Sequence, residues 1–511
     1  MTILPAYDDF AKRYDSGQPG LVWTKLVADL ETPVSAYLKL ADGRPHSFLL
    51  ESVEGGTTLG RYSIIGFKPD LVWRCRRGAV EINREARTSP DAFHPHEGHA
   101  LDSLRALIAE SRIDMPAGLP PMASGLFGYL GYDMVRLMEP RVPDANPDPI
   151  GIPDAVLSRP TIVCIFDRVE DSVTVVTPVW PRAGLSAAAA YEQAGERLAD
   201  VTADFERTLP RTSDDMAAID SLPPPEANMP KQAFLDMVET CKEYVRAGDV
   251  FQVVPSQRFS LPFKLPPLSL YRALRRINPS PFLIFFDYGD FQIVGSSPEI
   301  LVRLRDGTVT IRPLAGTIRR GATPEEDKRL AEQLLADPKE RAEHLMLLDL
   351  ARNDVGRVAA LGSVKVLQQF TIEKYSHVQH ISSHVEGKLA EGMDAVDALA
   401  AGFPAGTLSG APKVRAMEII DDLEPVRRGI YGGAAGYFAA NGTMDTCIML
   451  RTALVKDETM YVQAGVGVVA DSDPESEFQE SVQKARALVR AAEEAVAFAS
   501  AKRWSAANRR T

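Results

Sequence analysis

The chain has 511 residues, 45% hydrophobic and 25% charged, enough for two or three ordinary domains or one large unit with a second lobe. Its net charge of −12 offers no electrostatic footprint for nucleic acid and repels anionic substrates overall, so a site for one must build its own local positive charge. No apolar run reaches the roughly 18 residues of a membrane span. The opening MTILPAYDDFAKRYD lacks an apolar signal core, and Cys75, Cys164, Cys241 and Cys447 form no CxxC pair, so a soluble, cytoplasmic chain with reduced thiols is expected.

From the amino terminus, apolar runs at 47–53, 71–74 and 162–166 read as strands, and the Ala-rich stretch 187–206 reads as a solvated helix. At 221–230, SLPPPEANMP holds consecutive prolines that neither continue a helix nor donate to a sheet. This stiff, extended connector is the expected seam between an amino-terminal portion, 1–225, and a second portion, 226–511. Beyond it, Phe234, Met237, Val238, Cys241 and Val245 recur at helical spacing. Strands follow at 250–259, 282–286, 291–294 and 300–304, and Asp306-Gly307 turns the last into another over 308–312. Helices are expected at 324–336, opened by Thr323-Pro324, and at 339–355. Strands at 431–438, 445–455 and 460–468 precede a closing helix from 474 to about 500. Hairpin-joined strands with helices between the groups predict an α+β fold with large, mostly antiparallel sheets packed against helices. The amino-terminal strands can complete those sheets rather than fold alone.

Two acidic pairs stand out. Glu340 and Glu343, and Glu477 and Glu480, are each three apart on a predicted helix, so each pair shares a face. Two such faces meeting would suit magnesium, which keeps waters and takes one or two carboxylates plus a substrate oxygen; alternatively they are solvated surface. The apolar stretch 345–350 predicts a partly buried helix around the first pair. Gly465 and Gly467, in QAGVGVVA, and the glycines of YGGAAGYF mark either close approach of a ligand to backbone or tight packing. Arg451 falls in a predicted, otherwise apolar strand and needs a carboxylate, from the protein or from a ligand. His380, in a strand-like run, is a candidate base or a satisfied core residue. Glu299, after a proline turn, is an acid if burial raises its pKa, and otherwise an exposed turn residue. These residues point to a magnesium-dependent enzyme acting on a small carboxylated molecule.

Longer strings go further. GDVFQVVPSQRF (248–259), SSPEILVR (296–303), RPLAGTIRRG (312–321), ERAEHLMLLDLARNDVGRV (340–358), GTLSGAPKVRAMEII (406–420), DTCIMLRTALV (445–455) and QAGVGVVADSDPESEFQESVQKA (463–485) resemble the chorismate-utilising enzymes. HSFLLESVEGG (46–56) and LGRYSIIGF (59–67) are similar to the feedback-regulated large subunit of anthranilate synthases. The resemblance implies that fold, and the conversion of chorismate and ammonia to anthranilate and pyruvate through an aminodeoxyisochorismate intermediate, as the first step of tryptophan biosynthesis. It implies that Glu343 and Glu480 bind Mg2+ directly, and Glu340 and Glu477 through water. Arg451, Tyr431 and the backbone at Gly465 and Gly467 would hold the enolpyruvyl carboxylate, with Lys484 adding positive charge and Gly316, Thr317 and Thr407 lining the pocket. Glu299 would protonate the departing ring hydroxyl, and His380 would assist loss of pyruvate.

Two positions separate relatives. Water-using members carry a lysine base where this chain has Gln252, and aminodeoxychorismate synthases carry a nucleophilic lysine where it has Ala315. Both departures favour anthranilate over an aminodeoxychorismate synthase component; retained acidic pairs, His380 and Arg451 argue against a non-catalytic tryptophan sensor. No cysteine has the Gly-rich context of a glutaminase nucleophile, so ammonia is expected from a separate glutamine amidotransferase subunit, in an assembly of two chains of each kind. Leu50, Glu51, Ser52, the segment from Arg61 to Ser63, and Pro281, Phe282 and Leu283 match the family's tryptophan-binding segments, although Phe282 and Leu283 depart from a frequent Pro-Tyr-Met.

Overall fold

Every ladder of the 21-stranded main sheet is antiparallel. This computed structural model describes residues 2–52, 60–209, 221–375 and 378–507. Successive strand residues face opposite ways, and here each direction feeds a different core. In Ser47–Glu51, Phe48 points to an inner core and Leu49 to an outer one; in Thr452–Lys456, Leu454 lies inside while Ala453 and Val455 lie outside. The inner core is aromatic, with Phe48 stacked on Phe127 at 4.6 Å between ring centroids. Helices cover both outer cores. Ala187–Phe205, Pro267–Ile277 and Pro474–Ala507 bury Leu198, Leu274 and Leu488 on one side; Ala100–Glu110, Pro338–Gly356 and Ala395–Gly402 bury Leu104, Leu348 and Leu399 on the other. The result is an α+β sandwich of the predicted class.

The amino-terminal strands enter the same sheet as the later ones. Ser47–Glu51 lies between Tyr62–Arg76 and Phe282–Asp287, and Gly125–Leu130 pairs with Ala434–Ala439. The proline connector is extended, and Glu226–Ala227 pairs with Phe259 and Ser260 at its end.

Several local expectations need correction. The Ala-rich helix is solvated on one face only: Glu192, Gln193 and Glu196 are exposed, whereas Ala187, Ala190, Ala194, Leu198 and Val201 are buried, because small side chains three and four apart let its backbone sit close to the sheet. The strand expected at 250–259 is interrupted by Val254-Pro255, leaving Gln252–Val253 paired with Gly410–Ala411 and Ser256–Pro262 in the main sheet. The strand expected from 431 begins at Ala434, after Gly432 at φ +83°. The strand expected over 445–455 is two, Met444–Ile448 and Thr452–Lys456, because Arg451 adopts φ +49°. The strand expected to reach 468 ends at Gly465, with Val468 bridging to Val253. In the partly buried acidic helix, Leu345 is exposed while Leu347 and Leu348 pack inward. Strands Leu314–Arg319 and Lys365–Lys374 were not anticipated. Residues 53–59, which hold part of the HSFLLESVEGG string, lie outside the described residues.

Phe48 is 1% exposed at the centre of the inner core. Phe48→Ala is expected to cost about 3–5 kcal/mol, read as a fall of several degrees in the thermal unfolding midpoint; an unchanged midpoint would show that the inner core does not hold the sheet together.

Candidate active site

Glu299 sits in the turn between strands Phe291–Ser297 and Ile300–Arg305 and is 6% exposed. The Leu314 N–H donates to its Oε1 at 3.3 Å and the Thr407 hydroxyl to its Oε2 at 3.4 Å. Burial outweighs these bonds and the field of Arg451, pushing the carboxyl up to about 8. At neutral pH it is therefore a proton donor. Arg451 makes no side-chain hydrogen bond or ion pair among the described residues, and burial lowers its pKa; Glu299 is the one carboxyl that acts on it. Contrary to expectation it is not a strand residue: it sits at φ +49° in the break between Met444–Ile448 and Thr452–Lys456. An unpaired planar fork of this kind suits a ligand carboxylate.

His380 lies in Val378–Lys388, between Leu314–Arg319 and Lys365–Lys374, opposite Thr317 on one side and Glu373 on the other. Its Nδ1 is 3.0 Å from the Gly316 carbonyl and 3.0 Å from the Thr317 hydroxyl. A carbonyl only accepts, so Nδ1 carries the proton and Nε2 is left as an acceptor. Nε2 is buried without a partner, and burial lowers the imidazole to about 4. The histidine is thus a neutral base with a free lone pair.

The acidic pairs sit on Pro338–Gly356, capped by Asp337, and Pro474–Ala507. Burial and then the charge of neighbouring carboxylates raise the pKa of Glu343, which feels Glu340 and Glu480; Glu340 feels Glu480, and Glu477 is raised by burial and by Glu480. The two helices therefore bring their carboxylates within one another's fields. Among the described residues no three His, Cys, Asp or Glu side chains stand close enough together to hold a metal ion, so the four glutamates approach without converging on one point. Gly316, at φ +70°, makes room for this cluster: a Cβ there would come 2.9 Å from Glu340 Oε2. Lys484 pairs with Glu480 at 2.8 Å and donates to the Gly465 carbonyl at 3.1 Å. Gly465 also hydrogen-bonds the Tyr431 hydroxyl through its backbone, and a Cβ at Gly467 would meet Gln252 Nε2 at 2.6 Å. The close approach at both glycines is made by protein groups.

A second cavity of about 500 Å³ is lined by Leu50, Glu51, Ser52, Arg61, Pro281, Phe282 and Leu283, all from the segments expected to bind tryptophan. Tyr62 lines it too, whereas Ser63 does not. The Glu51 side chain is fully buried, held by Tyr271 at 2.8 Å, Arg275 at 2.8 Å and Arg168 at 3.2 Å, so its carboxylate fastens the wall. Arg61 is turned to Asp167 at 2.7 Å. At the other end the cavity reaches Arg303, Arg312, Leu314 and Tyr375, beside the Glu299 and His380 strands.

The family model for a chorismate binding enzyme matches residues 48–490. The chain belongs to the chorismate binding enzyme family. Anthranilate synthase component 1 of Cereibacter sphaeroides is 60% identical over 498 residues, 97% of this chain and 99% of that one. The crystal structure of anthranilate synthase component I from Streptococcus pneumoniae is 35% identical, with a TM-score of 0.74 over 91% of this chain and 98% of that one. The menaquinone-specific isochorismate synthase of Escherichia coli, 19% identical, shares the fold, with a TM-score of 0.68 over 95% of this chain and 98% of that one.

Within this chorismate binding enzyme, Gln252 is 3% exposed with an unpartnered Oε1, and Ala315 is 8% exposed. Neither supplies a base or an amine. Sequence reasoning passed over Tyr375, whose ring meets the His380 imidazole at 5.4 Å, and Glu373, which accepts from the Tyr375 hydroxyl at 2.9 Å. Glu373 is the penultimate residue of a strand, Lys365–Lys374, with no fully buried residue, and Tyr375 follows it, so no clear buried face marked either.

The raised Glu299 carboxyl can be checked directly. A difference infrared titration of the parent against Glu299→Gln is expected to show one carboxyl losing its proton near pH 8; a transition near 4.5 would mean that the side chain is wet.

Proposed function

We propose that this chain is an anthranilate synthase component 1, converting chorismate and ammonia to anthranilate and pyruvate at the head of tryptophan biosynthesis. The observation that carries the reading is one site holding a neutral acid, Glu299, and a neutral base, His380, on opposite sides of pH 7. The reaction needs both. In amination, Glu299 gives its proton to the ring 4-hydroxyl, which leaves as water while the ammonia nitrogen bonds to ring carbon 2 and the double bonds shift; the ammonium formed loses a proton. In elimination, Nε2 of His380 takes the proton from carbon 2, the ether bond breaks, and pyruvate departs as the ring becomes aromatic. Proton transfer of this kind contributes about 10²–10⁴-fold.

Chorismate is a dianion, and the chain is acidic, so local positive charge has to come from Arg451, Lys484 and a cation. Mutual repulsion among Glu340, Glu343 and Glu480, relieved mainly by Lys484 and Lys339, fits a hard dication. Glu343 and Glu480 would hold magnesium directly, with Glu340 and Glu477 through water, and the ion would neutralise and grip the ring carboxylate. Arg451 is left for the enolpyruvyl carboxylate, near Tyr431.

Gln252 and Ala315 support ammonia as nucleophile and the ortho product: free ammonia needs no base to attack, and no side-chain amine is present to form a covalent adduct. Burial raises all four thiols, Cys75, Cys241 and Cys447 to about 12 and Cys164 further, so none is a glutaminase nucleophile. A separate glutamine amidotransferase would then supply ammonia, in an assembly of two chains of each kind. The cavity behind Leu50, Ser52 and Phe282 would take tryptophan as a feedback inhibitor.

Chorismate with magnesium and ammonium is expected to yield fluorescent ortho-aminobenzoate, suppressed by tryptophan, while glutamine alone gives none; a para-isomer or a hydroxylated product would sink the reading. His380→Met should still aminate but accumulate the aminated intermediate, with anthranilate formation down about 10²-fold or more; anthranilate at the parental rate would remove His380 from elimination. Ser52→Phe fills the cavity and should raise the tryptophan concentration for half-inhibition about tenfold or more while turnover persists; inhibition as in the parent would place the effector elsewhere.

A further inference from the structure

Resting on the reaction proposed above, we infer that Tyr375 is a positioning residue for His380 and the point through which a ligand in the second cavity acts on that histidine. The imidazole is tied at one nitrogen only, to Gly316 and Thr317, and a ring held at one corner can still swing about that bond. Tyr375 blocks the swing: its ring stands edge-on to His380, centroids 5.4 Å apart and planes at 69°. With Tyr375 in place, Nε2 keeps a single direction. A general base must reach its proton within hydrogen-bond range, and misplacement by about 1 Å can cost 10²-fold.

Tyr375 is itself held from the far side. Its hydroxyl donates to Glu373 at 2.9 Å, and Arg312 pairs with the other carboxylate oxygen of Glu373. Its backbone N–H donates to Val378 at 2.8 Å, and Arg320 donates to its carbonyl. Arg312, Glu373 and Tyr375 all line the second cavity, while Glu299 and Arg451 act on Tyr375 from the catalytic side. One aromatic ring is therefore the shared wall of two sites. Cavity occupancy that moves Arg312 or Glu373 changes the pull on the Tyr375 hydroxyl and so the orientation of Nε2. Glu373 also lies directly opposite His380 in the ladder, which makes the path two residues long.

The test uses the full chain with chorismate, magnesium and ammonium, resolving aminated intermediate and anthranilate by chromatography. Tyr375→Leu is expected to consume chorismate within about threefold of the parent while releasing intermediate as the main product, because amination does not use His380. Tyr375→Phe, which keeps the ring, is expected to restore the flow to anthranilate. Tyr375→Phe and Glu373→Gln each cut the tether and should raise the tryptophan concentration for half-inhibition at least about fivefold. Equal loss of both steps in Tyr375→Leu, or a phenylalanine variant no better than it, overturns the positioning role. An unchanged tryptophan response in both tether variants, or a parent indifferent to tryptophan, overturns the coupling. Should Tyr375→Leu be insoluble, Glu373→Gln, which leaves the ring in place, decides the coupling and Tyr375→Ser the partition. A parent that makes no anthranilate at all removes the underlying reaction, and this inference with it.

Discussion

Exclusion of water from Glu299 and His380 is the constraint on which the chemistry depends. Desolvation always disfavours the charged form, so a single dry wall moves an acid and a base in opposite directions. Glu299 keeps its proton and His380 stays without a second one, with no specific partner needed to set either state. What the fold supplies is placement. The turn after Phe291–Ser297 carries the acid, the Val378–Lys388 strand carries the base, and Leu314–Arg319 touches both, through the Leu314 N–H and the Gly316 carbonyl.

Around this dry pair the charge balance is deliberately uneven. Carboxylates from two helices repel one another at one end, and an unpaired guanidinium waits at the other. Under the proposed function, a dianionic ligand with a dication would resolve both imbalances together. The architecture is shared with an isochorismate synthase at 19% identity, so the fold alone does not fix the reaction. Under the proposed function that choice falls to individual side chains, and Gln252 and Ala315 are notable for the amines they lack.

Much of this was readable in the sequence because it rests on periodicity. Glutamates three apart declare a shared helix face, and a continuous apolar run declares a strand buried on both faces, as at 162–166. The features that escaped depend on tertiary context. Arg451 breaks a strand with no glycine or proline to announce it, and Lys365–Lys374 is a strand with no fully buried residue, so its apolar positions are diluted by polar ones. Gly465 and Gly467 looked ready for a ligand, but the space they leave is taken by Tyr431 and Gln252, residues remote in sequence. Tyr375 gains its meaning only from Arg312 and His380, which the sheet brings to it. The Ala-rich helix read as solvated because alanine is neutral to burial until a neighbour's shape is known.

The Ser47–Glu51 strand is hydrogen-bonded along both edges, and the Glu51 carboxylate is the buried counter-charge of Arg275. The segment that walls the second cavity is therefore structural timber, not a detachable accessory. Excising it would bare a row of unpaired amides along Phe282–Asp287, an invitation to edge-to-edge aggregation, and would leave the partly buried Arg275 without its counter-charge. A descendant chain could not discard this portion by truncation. It would have to keep the strands and redecorate the wall, so that the chamber outlasts any use made of it.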